Sequence, residues 1–295
     1  MIGNPPTRGV VRTLAGRVVD FSREVHAMAI VNRSPDSFHD RGATATLEAA
    51  VAAGVRAVDQ GADWVDIGGI PFSPDTPLID ARAETDRVLP VVTELLAARR
   101  TIVAVDTWRP EVGAACVAAG AAVLNDTSGL ADPDMARLAA DTGAQLVICH
   151  SLAEPHRHLH RPRYDDVVDE VRAFLSDRVE LALSLGVTEE QVIVDPGPDL
   201  NKTTRHTLEL IRRFDEITCL GFPTLVAVSN KDVIGETLGR PREERIPGSI
   251  AAGTWCLAAG GSILRVHDVS AGIDTVRMAA GIRGWREPAH ERHNL

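Results

Sequence analysis

The chain has 295 residues, 44% of them hydrophobic, enough apolar material for one large buried core or two ordinary ones. A net charge of −10 argues against a general nucleic-acid binder, which needs a basic face to neutralise phosphates, but leaves room for a local basic pocket holding a small anion. Aromatic residues are only 4% while Ala, Val and Gly abound, a composition suited to short buried strands alternating with Ala-rich helices.

Four widely scattered cysteines, Cys116, Cys149, Cys219 and Cys256, include no C-x-x-C pair, so neither a zinc site nor a disulfide framework is expected. They read as reduced thiols, mostly in the core. No stretch approaches the roughly 18 apolar residues of a membrane span, and residues 1–8 hold no apolar signal segment. The expectation is a cytoplasmic protein with no membrane or nucleic-acid partner.

Residues 1–9 are expected to be a flexible N-terminus, residues 10–285 one folded unit, and residues 286–295 a flexible C-terminus. Val10 to Asp20 alternates around Gly16, which suggests a small hairpin. A rhythm of short apolar runs and helical stretches follows. The expected strands are Ala27–Val31, Trp64–Ile67, Thr101–Val105, Ala121–Leu124, Gln145–Ile148, Gln191–Val194, Thr224–Val228 and Ser262–Val266. The expected helices between them are Leu47–Gln60, Ala81–Ala98, Pro110–Ala119, Pro133–Asp141, Tyr164–Leu185, Thr203–Phe214, Asp232–Leu238 with Gly248–Ala259, and finally Ile273–Arg283. The runs are apolar and β-branched, as strands covered on both faces should be. Eight successive strand–helix units without a linker predict an α/β protein with a single (β/α)8 TIM barrel behind a short N-terminal hairpin. The competing open doubly wound sheet would more often carry a Gly-rich phosphate loop after its first strand, and neither G-x-G-x-x-G nor G-x-x-x-x-G-K occurs.

Polar residues follow every apolar run: Asn32; Asp66, Gly68 and Gly69; Asp106 and Thr107; Asn125 and Asp126; His150; Asp195-Pro196-Gly197; Ser229-Asn230-Lys231; then Arg265 and His267. Any one of them is ordinarily a cap or a turn residue. In a barrel all eight sets share the C-terminal rim, where such enzymes keep their sites. Arg265 and His267, two apart in a strand, point to the same side and suit an anion or a flat polar ring. Asp106, Asp195 and Asn125 add acceptors, and Lys231 a further donor. This set matches a heterocycle with amino and carbonyl edges, such as a pterin. Ser229 has no evident base beside it, so nucleophilic catalysis is weakly supported.

These residues carry a resemblance to dihydropteroate synthase, of the pterin-binding barrel superfamily, over nearly the whole chain from Leu14 to Trp285. Its carriers are N-R-S-P-D-S-F at Asn32–Phe38, D-I-G-G at Asp66–Gly69, V-D-T at Val105–Thr107, N-D-T-S-G at Asn125–Gly129, D-P-G at Asp195–Gly197, S-N-K at Ser229–Lys231 and R-V-H-D-V at Arg265–Val269. The resemblance implies a pterin pocket of Asp106, Asn125, Asp195, Lys231 and Arg265. It implies a diphosphate side with Asn32, a bound Mg2+, and His267 beside Arg265, so that Asn32, Lys231, Arg265 and His267 form the reacting set. It places Ser229, Phe72 and Ser73 on the side of the second substrate, 4-aminobenzoate. The implied reaction displaces diphosphate from a hydroxymethyl-dihydropterin diphosphate by the aminobenzoate amine, and the implied assembly is a homodimer.

The chain departs from that family in its loops. Where the family usually reads Glu-Ser-Thr-Arg-Pro after the two glycines, this chain reads Ile70-Pro71-Phe72-Ser73-Pro74. In the strand-one loop the usual Val-Thr becomes Arg33-Ser34, and the following Ser and Gly become His39 and Arg41. After Asp195-Pro196-Gly197 the usual phenylalanine and glycines give way to Pro198-Asp199-Leu200-Asn201, and the usual arginine before Lys231 is Asn230. The expectation is a paralogue that keeps the pterin floor but is inactive or severely impaired, still binding a pterin or a sulfone- or sulfonamide-like ligand. The alternative is a working synthase in which Arg33, His39 or Arg41 replaces the lost cationic grip. A pterin-dependent methyltransferase is disfavoured by the N-x-x-P-D-S-F loop and the S-x-K motif. The alternating His156, His158 and His160, interleaved with Arg157, Arg161 and Arg163, read as a solvated basic loop at the rim rather than a metal site.

Overall fold

The computed structural model describes residues 3–33, 46–70, 77–155, 157 and 159–293. A two-stranded antiparallel hairpin comes first, β1 (Val11–Leu14) and β2 (Arg17–Asp20). Ala15 and Gly16 between them both have positive φ, 48° and 73°, the turn geometry whose twist matches that of the strands. Eight strand–helix units follow. The first four are β3 (His26–Asn32) with α1 (Leu47–Gln60), β4 (Trp64–Gly68) with α2 (Ala81–Ala98), β5 (Ile102–Asp106) with α3 (Pro110–Ala118), and β6 (Val123–Asp126) with α4 (Asp134–Thr142). Then come β7 (Gln145–Cys149) with α5 (Val167–Ser184), and β8 (Val192–Asp195) with α6 (Thr204–Arg212) and α7 (Phe214–Thr218). The last two are β9 (Leu225–Val226) with α8 (Asp232–Leu238) and α9 (Ile246–Ala258), and β10 (Ile263–Val266) with α10 (Val269–Ile282).

The eight strands are parallel and ordered β8-β7-β6-β5-β4-β3-β10-β9. A parallel bridge between Val194 and Thr224, with Val194 N–H donating to Pro223 O at 3.0 Å, joins the two ends, so the sheet curls into the expected barrel.

Alternation along the strands sorts the side chains. One set faces outward onto the helices: Val65, Ile67, Val103, Val105, Leu146, Ile148, Val192 and Val194 pack with helical residues such as Val88, Leu95 and Val112. The other set fills the interior: Met28, Trp64, Ile102, Ala104, Val123, Val147, Ile193, Leu225 and Ile263. Leu14, Val19 and Phe21 of the hairpin join this interior cluster and plug the N-terminal end. One more step of two along each strand reaches the next interior layer, and there the residues are polar. Trp64 leads to Asp66, Ala104 to Asp106, Val123 to Asn125, Ile193 to Asp195 and Ile263 to Arg265. The barrel is dry below and charged above.

Several element bounds shift by a few residues, α5 for instance beginning at Val167 rather than Tyr164, and three differences are larger in consequence. The seventh barrel strand is only Leu225–Val226, shorter than Thr224–Val228. The helix expected over 203–214 is two, broken at Arg213 (φ −106°, ψ 31°), whose guanidinium bonds Asp166 at 2.8 Å and Glu216 at 2.7 Å. The final helix begins at Val269 rather than Ile273, because the Asp268 carboxylate accepts from Ala271 N–H at 2.8 Å and caps it there. The described part of the leading segment lies across the barrel's N-terminal end, with Gly3 N–H bonded to Ala258 O at 2.6 Å and the Thr7 and Arg8 amides to Gly221 O at 2.8 and 2.9 Å. Cys116, Cys149 and Cys256 are buried as expected of core thiols, whereas Cys219 is exposed. No described helix is long and apolar enough to cross a membrane.

Candidate functional site

Asp66 is the centre of the polar layer. It is fully buried, and its Oδ2 accepts from Arg265 Nε at 2.7 Å and from Asn125 Nδ2 at 3.1 Å. Arg265 also donates through Nη2 to Asp106 Oδ2 at 2.9 Å. β4, β5, β6 and β10 therefore converge on one hydrogen-bonded group. Burial alone would depress the Arg265 guanidinium, but Asp66 and Asp106 more than offset it and hold the charge firmly. Burial raises the Asp106 carboxyl to about 7, with Arg265 opposing and Asp66 adding repulsion.

Two acceptors of this group are unspent. Asp66 Oδ1 and Asn125 Oδ1 are buried with no hydrogen-bond partner in the structure. Folded proteins rarely leave such atoms unmatched, and here they are the chemistry a flat ring with N–H edges would complete.

Across the mouth, Asp195 is buried and its Oδ1 accepts from Gly197 N–H at 2.7 Å. Burial pushes its carboxyl up, and the Lys231 ammonium opposes this. Lys231 donates through Nζ to the Pro198 carbonyl. Beside it, Ser229 Oγ lies 3.2 Å from His267 N, which donates to it, and 3.1 Å from His267 Nδ1. Asn32 closes β3 opposite Gly68; a Cβ on Gly68 would lie 2.8 Å from Asn32 Oδ1, so a larger residue there would displace the Asn32 amide.

The candidate residues Asp106, Asn125 and Arg265 thus form one bonded cluster, Asp195 and Lys231 belong to the β8–β9 side, and Ser229 and His267 form a pair of their own. Phe72 and Ser73 lie outside the described residues, as do His39, Arg41, His156 and His158. Arg33, a candidate substitute cation, is described and faces elsewhere. Its Nη1 donates to the carbonyls of Asp86 at 3.1 Å and Arg87 at 2.7 Å, in the middle of α2. Pro90 explains this placement: it has no N–H to give the Asp86 carbonyl four residues earlier, and Arg33 supplies the missing donor.

Sequence reasoning missed three supports. Asp66 stands in the sequence as a rim residue and part of D-I-G-G without a ligand role, although it anchors the cluster. Glu84 on α2 is fully buried and accepts from Arg109 Nη1 at 2.7 Å, while Arg109 Nη2 bonds Ile79 O at 2.7 Å, so the loop after β5 is tied to the one before α2. Lys202 is buried under the β8 loop and directs Nζ to His150 Nδ1 (2.8 Å), Gly197 O (2.8 Å) and Leu200 O (3.2 Å), three acceptors for three N–H groups. Burial pushes Lys202 down to about 7 and His150 down to about 2, so His150 is neutral and presents Nδ1 as an acceptor. No spacing signal marks Lys202; only its place seven residues after Asp195, in the same loop, connects it to the site.

Asn32 brings one amide oxygen to the mouth. Among the described residues, no group of three His, Cys, Asp or Glu gathers to hold a metal ion. Such a donor suits a hard cation that keeps its waters and takes most of its ligands from a phosphate-bearing substrate.

A family model described as "Pterin binding enzyme" matches residues 28–267. The chain is 43% identical over 288 residues to "Inactive dihydropteroate synthase 2" of Mycobacterium leprae, covering 96% of this chain and 98% of that protein. It is 34% identical over 284 residues to dihydropteroate synthase of Synechocystis, covering 96% of each. The solved dihydropteroate synthase of Xanthomonas albilineans with 4-aminobenzoic acid superposes with a TM-score of 0.85 at 37% identity, over 93% of this chain and 98% of that one.

Proposed function

The chain belongs to the dihydropteroate synthase family of pterin-binding enzymes, and we propose that it is a divergent paralogue that keeps the pterin pocket while joining aminobenzoate to it poorly or not at all. The observation that carries the pterin half is the buried pair of unmatched acceptors, Asp66 Oδ1 and Asn125 Oδ1, next to Arg265. A pterin's amino and ring N–H groups complete those acceptors together with Asp106 and Asp195. Lys231 turns from the Pro198 carbonyl to a carbonyl or ring nitrogen of the pterin, and the Arg265 guanidinium lies against the ring.

In the reaction of an active synthase the bond from the pterin's methylene to diphosphate oxygen breaks as the aminobenzoate nitrogen attacks. The barrel's share is to hold the ring and stabilise the departing anion. In this chain Arg265 and His267 stand on the diphosphate side and Ser229 on the aminobenzoate side. Asn32 would hold Mg2+, which neutralises diphosphate charge when bound. The missing part is the Thr-Arg of the strand-two loop, here Phe72-Ser73. Losing one well-placed donor to a developing anion costs roughly 10²–10³ in rate. Losing two brings turnover close to background. The engagement of Arg33 with α2 supports this reading over a working synthase rescued by that cation. We further propose a cytoplasmic homodimer, supported by the scattered unpaired thiols and by the exposed Trp255, Met278 and Ile282 on neighbouring helices.

Two measurements test the proposal. Calorimetric titration with hydroxymethyl-dihydropterin diphosphate should give micromolar or tighter binding. A coupled assay with that compound and 4-aminobenzoate should give turnover at least about 10³-fold below an active synthase. Turnover at ordinary synthase rates defeats the impaired reading, and absence of pterin binding defeats the pocket.

A further inference from the structure

The loop after β8 carries Asp199 and Asn201 in the stretch where the family usually has a phenylalanine and glycines, and both take a glycine-like backbone, with φ of 63° and 49°. Asp and Asn are the non-glycine residues that enter this region most readily. Each side chain is used. Asn201 Oδ1 accepts from Leu159 N–H at 2.7 Å and its Nδ2 donates to Ser151 Oγ at 2.9 Å, fastening the loop after β7. Asp199 reaches the other way. Its Oδ2 accepts from Val233 N–H at 3.0 Å, and its own N–H donates to the buried Thr207 Oγ1 at 3.1 Å.

Val233 is the second residue of α8, and its N–H is one of the orphan donors of a helix start. A helix normally satisfies such donors through its own N-cap residue. The N-cap of α8 is Lys231, which has no acceptor and makes no capping bond. We propose that Asp199 is a positioning residue that caps α8 from a separate loop, and so frees Lys231 to serve as a ligand donor at a helix start it cannot cap itself. The same two-residue step of chain grips Lys231 at both ends. The Pro198 carbonyl receives its ammonium, and Asp199 fixes the turn that carries its backbone. The loop after β8 therefore fixes the backbone that carries Lys231 before a ligand arrives, a hold that a glycine at 199 would lack. This inference rests on the proposed pterin pocket for its consequence and on the α8 start for its geometry.

The test compares Asp199→Gly, which suits the left-handed backbone but removes the acceptor, with Asp199→Asn, which keeps both. Hydroxymethyl-dihydropterin is titrated into the full chain by calorimetry, with melting temperatures confirming that each variant folds. D199G should bind about five- to tenfold more weakly and D199N within about twofold of the parent, as the loss and retention of an N-cap predict. Coupling to Lys231 is read from a double-mutant cycle: in a Lys231→Met background, D199G should change affinity by less than about twofold. Undiminished binding in D199G, or an equal loss with and without Lys231, overturns the assignment. Amide hydrogen exchange at Val233 gives a ligand-free readout. It should quicken in D199G and return to the parent rate in D199N, and an unchanged rate also overturns the assignment. If the parent binds no pterin, the pocket reading fails and this exchange alone decides the cap.

Discussion

Arg265 places one positive charge against two carboxylates, Asp66 and Asp106, and burial raises the carboxyl of Asp106. Asp66 holds two donors and no exposure, whereas Asp106 sits at the mouth with its carboxyl raised to about 7 by burial. The folded state thus retains the Asp106 proton up to about pH 7, while an unfolded chain releases it near about pH 4. Between those limits the folded state binds more protons, so this group's contribution to stability falls as pH rises through the window and stays low above it. Urea unfolding from pH 4.5 to 8 should show a decline on the order of 2 kcal/mol in the parent that is absent in Asp106→Asn. Parallel profiles for the two proteins would disprove the protonated Asp106. Other buried carboxyls, such as Asp126 at about 6, are common to both proteins and cancel in the difference.

At the scale of elements, a pairing between one strand end and a distant helix decides what a substitution does. Arg33 looks in the sequence like a cation added to a binding loop; in the structure it completes α2 at the carbonyl orphaned by Pro90. Arg33→Val should lower stability by about 1 kcal/mol, the ordinary worth of a hydrogen bond to an orphaned group, and leave the affinity for pterin diphosphate unchanged. A fivefold loss of affinity with unchanged melting would return Arg33 to the site. The same contrast separates what the sequence makes legible from what it hides. The barrel is legible because alternation is local: Ile193 then Asp195, Ile263 then Arg265, each an apolar step followed by a polar one on the same face. The Asp66 anchor is not, because its partner lies 199 residues away along the chain. The capping of α8 is hidden for the same reason, since its N-cap Lys231 and its capping side chain Asp199 belong to different loops. The early start of α10 was readable in principle: Asp268, before an Ala-rich helix, is a cap that the apolar period alone overlooks.

The described residues bury most of their hydrophobic side chains in two sleeves, one inside the strands and one between strands and helices, and leave large ones exposed at several places, α9 and α10 among them. Trp255 is 58% exposed, and Met278 and Ile282 are 64% and 63% exposed and one helical turn apart on α10. The ends of these two helices are tied together, with Arg283 Nη2 donating to the Leu257 carbonyl at 2.8 Å. A large aromatic and two long apolar side chains, exposed on helices that pack together, are the kind of surface an isologous dimer covers. On the proposed homodimer, a two-fold axis over these helices would set these side chains against their own copies. A stable dimer of this kind hides about 800 Å² per partner, more than three side chains supply, so their helices must contribute as well. Sedimentation velocity at micromolar concentration should show a dimer for the parent and a monomer for Trp255→Glu combined with Met278→Glu. The rim lies at the other end of the strands from the bonds that join α9, α10 and the leading segment, so the double variant should keep its pterin affinity. A variant that remains dimeric moves the interface elsewhere. A variant that becomes monomeric and loses pterin binding together would instead tie the pocket to the assembly.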